Sequence, residues 1–479
     1  MSRYACAPVT LSSLLDSVDM PVDVSRSDVV ISGVSQDSRI IEPGDMYCCV
    51  RGENFDGHSF INDALAAGAR ALVVDSPDVQ VPDDIAVVTV ADVRSFLGPL
   101  ASAFFHHPSR SLRMVGVTGT NGKTSTAIMI GSLLTATGAH VKVMGTLTGV
   151  RTTPEALDLH AQLRAWVNES VDVVVMEVSS HALVQHRVDG IIYDVAVFTN
   201  IGRDHLDFHG TEEAYFAAKA ILFAPNHARC GVVNLDDPKG SLLNDVSPIP
   251  LTTFSKSDAS NVVLSVNEIS YTSQGLSITV PMGGEFTLMN SLAALATGRT
   301  LGVSDVDLQE GLRCLQPIPG RFESVPNELG LGVVVDYAHT PESLESLLVS
   351  ARRVCRGRLI LVFGCGGNRD AGKRPLMGGV ASALADYVIV TSDNPRHEDP
   401  DRIIDEIFSG VPNSATHVSR ESDRARAIAS AISSAERGDI VVIAGKGHES
   451  TQDIAGVLHP FLDADVARQC LAQREETTE

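Results

Sequence analysis

The sequence predicts an α/β protein of three domains. These are a small N-terminal α/β domain (1–97), a central domain built like a phosphate-loop ATPase on a mainly parallel sheet with an antiparallel edge (98–318), and a C-terminal Rossmann-like domain (319–479). Three observations predict it. The 479 residues exceed what one ordinary core organises, since domains cluster near about 100–200 residues. Apolar runs of strand length alternate with helical stretches, as in parallel sheets covered by helices. The alternation breaks twice, before Arg113 and at the Pro-rich QPIPGRFE of residues 316–323, which predicts a hinge.

Taken in order, VVISGVSQDSR and GDMYCCVRG are short β-like runs ended by turns. The helical INDALAAGAR and the strands ALVVD and IAVVTV follow, closing the first domain near Val90. A new unit opens at Arg113, where the strand RMVGV enters a Gly-rich turn and then the helical TSTAIMIGSLLTATG. The strands VDVVVM and DVAVFTN, a helix around AYFAAKAILF and the strand GVVNLD continue it. From Asn261 to Val280 residues alternate about a Ser-Gln-Gly turn, which predicts antiparallel strands on the edge of the central sheet. Beyond the hinge, GVVVD, RLILVF, YVIVTS and DIVVIAG are separated by helical segments, the pattern of a doubly wound sheet.

Bulk composition excludes some functions. A formal net charge of −22 is unsuited to gripping nucleic-acid phosphates, which takes a basic face. The eight cysteines include no C-x-x-C pair and read as reduced thiols. The first 30 residues lack the apolar stretch of a signal peptide, and nowhere do 18 uncharged apolar residues run together. The expectation is a cytoplasmic chain without a membrane span.

The strongest local signal is GVTGTNGKTS, residues 116–125, between a strand and a helix. Such a loop lets backbone N–H groups converge on phosphate oxygens at a helix N-terminus. Here Gly119, Thr120, Asn121, Gly122 and Ser125 would line the nucleotide, Lys123 would reach the β- and γ-phosphates, and the Thr124 hydroxyl would ligate magnesium. Val117 stands where the general pattern has its first glycine. Glu177, directly after VDVVVM, lies at the carboxyl edge of a parallel sheet, where it can hold magnesium. Lys219 lies on an otherwise apolar helical face, where a lysine ordinarily covers the core with its stem and keeps its head in water.

T-G-T-N-G-K-T resembles the shortened phosphate loop of the Mur ligases and the related folylpolyglutamate synthetases, and the match continues in order along nearly the whole chain. The resemblance implies ATP and magnesium as cofactors. It implies His205, in TNIGRDHLDFHGT, as a metal ligand, and Lys219 as a carbamate that binds a second magnesium. A buried amine whose charge is disfavoured by desolvation suits that chemistry. It further implies contacts from Asn290 to adenine, Arg321 to phosphate and Asp336 to ribose. Catalytic roles fall to Lys123, Lys219, His205 and Arg321. Relatives often carry F-N-x-x-N where this chain has Phe286, Thr287, Leu288, Met289 and Asn290, so the first asparagine is missing.

Within the family, SQDSR and RGENFDGH resemble the uridine-nucleotide pocket of the tripeptide-forming branch, which implies Gln36, Ser38, Glu53, Asn54 and Phe55 as its contacts. Thr152, Thr153, Ser179, Gln185 and Arg187 match that branch's contacts to a UDP-linked muramoyl dipeptide; Arg151 stands where some relatives have asparagine. D-N-P-R resembles a motif for meso-diaminopimelate, implying Asp393, Asn394, Pro395 and Arg396, completed by Arg369, Gly445 and Glu449. The implied partners are these small molecules, with no nucleic acid, and a monomer is expected. Two alternatives stay open, a folylpolyglutamate synthetase and a nucleotide switch without turnover.

Overall fold

The computed structural model describes residues 3–18, 20–52, 55–76, 79–415 and 417–478. The chain divides into two compact units, one of residues 1–119, 137–199 and 205–253, the other of residues 120–136, 200–204 and 254–479.

The first unit carries two sheets. In the N-terminal one, β1 (Tyr4–Thr10), β2 (Asp23–Val24), β3 (Val30–Ser35), β4 (Asp45–Cys48), β5 (Ala71–Val74) and β6 (Ala86–Thr89) lie in the order β1-β3-β4-β5-β6-β2. The inner four are parallel, while β1 on β3 and β2 on β6 are antiparallel. Every residue of β4 and β5 is buried, as strands covered on both faces must be. One face packs on the helix Val93–Phe104, the other on Ile61 and Ala64. The Asp92 carboxylate caps that helix by accepting the N–H of Ser95 at 2.8 Å.

The central sheet contains β7 (Arg113–Thr118), β8 (Val141–Met144), β9 (Val173–Glu177), β10 (Tyr193–Phe198), β11 (Ala228–Asn234) and β12 (Leu251–Phe254), in the order β12-β11-β10-β7-β9-β8. The pairs from β11 to β8 are parallel. Because β7 lies between β9 and β10, the strand order reverses at its carboxyl end, which is where open α/β sheets bind ligands. The Gly-rich turn leaves β7 at that point.

In the second unit the helix Lys123–Ala136 packs against Glu285–Thr300 and Asp305–Arg313. A Cβ on Gly311 would stand 2.5 Å from the Leu133 Cα, so glycine permits the close approach. The strands β13 (Ser260–Leu264), β14 (Ile269–Ser273) and β15 (Leu276–Val280) form an antiparallel sheet of their own, which corrects the expectation of an edge on the central sheet. Only alternate residues are apolar and buried, Ile269 and Tyr271 on β14 and Ile278 and Val280 on β15. That single face is covered by helices, with the Tyr271 and Ser291 hydroxyls hydrogen-bonded at 2.8 Å. A three-stranded sheet with one dry face needs nothing more.

The C-terminal sheet has β16 (Glu323–Ser324), β17 (Gly332–Asp336), β18 (Leu359–Phe363), β19 (Tyr387–Val390), β20 (Val418–Arg420) and β21 (Ile440–Ala444) in the order β16-β17-β21-β18-β19-β20. All neighbours are parallel except β16 on β17. A hairpin of β22 (Thr451–Ile454) and β23 (Val457–Pro460) follows. Among the described residues no helix is long and apolar enough to cross a membrane.

Candidate active site

The phosphate loop leaves β7 and enters the helix that begins at Lys123. Gly122 has φ +83°, and a Cβ there would lie 2.4 Å from Asn290 Oδ1, so both backbone and space require glycine. Asn290 Oδ1 also accepts the Thr126 hydroxyl at 3.3 Å, which ties the predicted adenine contact to the loop's helix. The Lys123 ammonium donates to Thr120 O at 2.9 Å. Asn200, which sequence reasoning passed over, braces the turn: its Oδ1 accepts the Asn121 N–H at 2.9 Å and its Nδ2 donates to Asn121 O at 3.1 Å.

In the first unit Glu177 ends β9, buried, and accepts the N–H and hydroxyl of Thr146 at 2.8 and 3.3 Å. A Cβ on Gly145 would lie 2.1 Å from its Oε1. The residues predicted for the dipeptide gather around this strand end. Thr152 shares a hydrogen bond with the Thr146 hydroxyl at 3.0 Å, and the buried Thr153 hydroxyl donates to Glu177 O at 2.9 Å. Ser179 caps the helix Ser180–Val184 and its N–H donates to Thr153 Oγ1 at 3.1 Å. Arg187 donates to Gln185 Oε1 at 2.5 Å and Thr153 O at 3.2 Å, and pairs with Glu155 at 3.0 Å. Its Nε is buried without a hydrogen-bond partner among the described residues. Arg151 forms an ion pair with Glu155 too.

Lys219 is not a snorkelling side chain. It is 1% exposed, stands 4.3 Å from the centroid of the Tyr215 ring and donates to Gly119 O at 2.8 Å. Its amine therefore lies against the phosphate loop. His205 adopts φ +54° at the start of the helix Leu206–His209, its ring edge-to-face with His181 at 4.7 Å. Among the described residues no three His, Cys, Asp or Glu side chains stand close enough to hold a metal ion by themselves.

In the second unit, Arg321 donates to Thr124 Oγ1 at 3.4 Å and stacks over the Tyr337 ring at 4.8 Å, with its Nε buried and lacking a hydrogen-bond partner among the described residues. Phe322 beside it is buried at φ +46°, a strained backbone for an aromatic residue that costs roughly 1–3 kcal/mol. Its ring packs on Phe286 and its N–H donates to Asp336 Oδ2 at 2.8 Å. Asp336 Oδ1 accepts the Ala338 N–H at 2.8 Å, so this carboxylate braces the Arg321 turn. Burial pushes its carboxyl up, opposed by the Arg321 charge.

The predicted amino-acid residues lie at the carboxyl ends of β18, β19 and β21. Asn394 Nδ2 donates to Glu449 Oε2 at 2.6 Å, and Arg396 donates to Gly367 O at 2.7 Å. Arg396 takes φ +51°, set by its own N–H on Asp453 O at 2.9 Å. A Cβ on Gly367 would lie 1.9 Å from Pro395 O, and one on Gly445 2.6 Å from Asp393 Oδ2, so both loops approach at backbone distance. Asp393 is buried, which pushes its carboxyl up. Arg369 follows in the 366–369 turn, near Gly366.

Three buried cations that no sequence motif singles out support these loops. Arg374 donates to Glu398 Oε2 at 2.9 Å, Glu406 Oε2 at 2.6 Å and Gly366 O at 3.2 Å. Arg424 pairs with Asp463 at 2.7 Å and donates to Ser392 O at 3.3 Å and Ala444 O at 3.0 Å, the carbonyls just before Asp393 and Gly445. Lys446 is the third. Their only sequence signal is a cation beside an apolar run.

In the N-terminal domain, Ser38 opens the turn Ser38–Ile40, capped by Asp37, and Gln36 precedes it, half-buried. Phe55 is 72% exposed, and its carbonyl accepts the Gly52 N–H at 2.8 Å. Glu53 and Asn54 lie outside the described residues.

Known proteins resemble the chain along its length. Residues 30–105 match the Mur ligase family, catalytic domain; 117–298 the Mur ligase middle domain; and 320–447 the Mur ligase, glutamate ligase domain. A UDP-N-acetylmuramoyl-L-alanyl-D-glutamate–2,6-diaminopimelate ligase of Synechococcus elongatus is 42% identical, covering 98% of this chain and 100% of that protein. The one of Xylella fastidiosa is 43% identical, with 93% and 94% covered. A solved structure of a ligase of the same name superposes with a TM-score of 0.70 at 32% identity, covering 98% of this chain and all of that one.

Proposed function

This chain belongs to the Mur ligase family, and on that premise we propose that it is an ATP-dependent ligase that joins meso-2,6-diaminopimelate to UDP-N-acetylmuramoyl-L-alanyl-D-glutamate in peptidoglycan synthesis. The observation that carries the reading is the pairing of Asn394 with Glu449 beside Arg396, at the carboxyl ends of the C-terminal strands. An acid for an ammonium and a guanidinium for a carboxylate recognise a zwitterionic amino acid that bears an extra carboxylate. The phosphate loop supplies the nucleotide site in the same chain.

Under this reading the dipeptide's terminal carboxylate attacks the γ-phosphorus of ATP, and ADP leaves with the electrons of the broken P–O bond. Lys123 and Arg321 stabilise the charge on the transferring phosphoryl group. The amino group of diaminopimelate then attacks the acyl carbon, and phosphate departs from a tetrahedral intermediate. Thr153, Ser179, Gln185 and Arg187 orient the dipeptide. Magnesium, held through Thr124, Glu177 and His205, would neutralise phosphate charge. Lys219, buried against Gly119 O, would serve as a carbamate, which intact-mass measurement of the side chain tests. Gln36, Ser38, Glu53, Asn54 and Phe55 are assigned to the uridine nucleotide, Asn290 and Asp336 to adenosine. The reading goes with domains at 1–97, 98–318 and 319–479, a cytoplasmic location and a monomer.

The test is phosphate release from ATP with the UDP-linked dipeptide, with and without diaminopimelate. Sustained release only when both are present, with the tripeptide product formed, is expected. Equal turnover without diaminopimelate, or use of a folate substrate instead, would reject the assignment.

A further inference from the structure

Lys446 lies in the turn between Gly445 and Glu449, and its side chain is 0% exposed. A buried ammonium is tolerated only where its donors are satisfied, and all three of its N–H groups have an acceptor. They donate to Thr451 O at 2.6 Å, Asn394 Oδ1 at 3.2 Å and Glu449 Oε2 at 3.4 Å. Asn394 Oδ1 also accepts the Asp453 N–H at 2.9 Å. Both lone pairs of that oxygen are therefore used, and the amide has one orientation, with Nδ2 turned to Glu449 Oε2 at 2.6 Å. Glu449 Oε2 in turn serves Asn394 and Lys446, which leaves Oε1 as the oxygen with no protein hydrogen bond among the described residues.

We propose that Lys446 is a positioning residue of the amino-acid site, locking Asn394 so that it offers only N–H and Glu449 so that it offers Oε1 to the substrate's ammonium. The inference rests on the assignment of this site to a diamino acid. An unlocked amide could present either its oxygen or its nitrogen, and an unlocked carboxylate could swing away, so recognition would lose orientation before it lost charge. Lys446 touches no substrate in this arrangement. It acts through two side chains that do.

The experiment compares wild type, Lys446→Met, Glu449→Gln and the double variant, with KM and kcat measured for each substrate. In Lys446→Met the KM for diaminopimelate rises about ten- to hundred-fold, the size of one lost charge-assisted hydrogen bond. The KM for ATP and for the UDP-linked dipeptide stays within about two-fold. Because Lys446 acts partly through Glu449, Lys446→Met should cost less in the Glu449→Gln background than in wild type, so the double variant falls short of the product of the two single effects. Multiplicative effects, an equal rise in all three KM values, or an unchanged KM for diaminopimelate would each overturn the proposal. Thermal unfolding checks the fold, and Lys446→Gln, which keeps a donor for Thr451 O, carries the measurement if the methionine variant does not fold. Wild type that ligates a different amino acid rejects the diaminopimelate assignment, while the same comparison on that amino acid still decides Lys446. Wild type that ligates none rejects both.

Discussion

In the proposed nucleotide site the groups assigned to the ligand sit on one short turn, which Gly122 permits at φ +83° and Asn200 braces. Around Asn394 they are side chains, and other charges hold them. Arg374 fixes the loop at Gly366, Arg424 ties the strand ends before Asp393 and Gly445, and Lys446 orients Asn394 and Glu449. Under the proposed function the difference follows the ligands. A phosphate is a symmetrical anion that converging N–H groups and a helix terminus can bind. A zwitterion has ends of opposite sign at fixed separation, so it must be read by charged side chains, and each of those must be stopped from turning. The second site therefore buries charges, and breaking such a pair costs more than never having formed it.

The comparison breaks most severely at Lys123, the one side chain of the loop given the transferring phosphate. Lys123→Ala should lower kcat by at least about 10^3-fold, the scale of losing a cation that stabilises phosphoryl transfer, with an unchanged thermal unfolding curve. Near-normal phosphate release by the folded variant would show that backbone donors alone suffice.

Lys219 tests the loop from behind, since its amine donates to Gly119 O. Lys219→Ala should lose about 10^2–10^3-fold in kcat, on the scale of one transition-state electrostatic group. Short carboxylic acids that occupy the carbamate's place should restore part of it. Loss without rescue would make the lysine a brace for the glycine turn.

Arg396 sharpens the other half of the comparison. Truncating one partner of a buried charge pair costs roughly 2–5 kcal/mol, so Arg396→Ala should reduce kcat/KM for diaminopimelate by about 30-fold to several thousand-fold. Lysine should gain little, since removing an arginine builds no new site for its ammonium. An unchanged preference in the variant would reduce Arg396, with its φ of +51°, to a turn residue.

His160 marks the limit of both strategies, as a buried base that avoids charge. It is 0% exposed, its Nε2 lies 3.3 Å from Asp189 O, and its Nδ1 has no hydrogen-bond partner among the described residues. Burial pushes its pKa from 6.5 down to about 4. The unfolded chain thus takes up the proton first, so the stability this residue confers is complete above pH 6.5 and lost as pH falls from 6.5 towards 4. At about 1.4 kcal/mol per unit the loss is on the order of 3 kcal/mol. Denaturant melts across that range should show a shallower slope in His160→Gln; an equal slope would place the acid sensitivity elsewhere.

What could be read in advance follows the range of each interaction. GVTGTNGKTS announced its turn and helix because neighbouring residues carry all the chemistry, and Glu177 was placed at a strand end by the run of valines before it. The strands β13 to β15 were legible as antiparallel, but not the sheet they would join, because alternation reveals one dry face without saying what covers it. Local sequence left Lys219 open to a second reading, a stem with its head in water, until its contact with a residue 100 positions earlier and its 1% exposure showed it buried. Lys446 looked like one more polar residue of a turn, and the amide it orients lies 52 positions away. By itself the sequence determined the three layered sheets and the turn that carries the phosphate loop, since periodicity and turn chemistry act over a few residues. The tertiary structure alone decided which charges are buried and what they hold in place, because desolvation is set by groups that the chain brings together only when it folds.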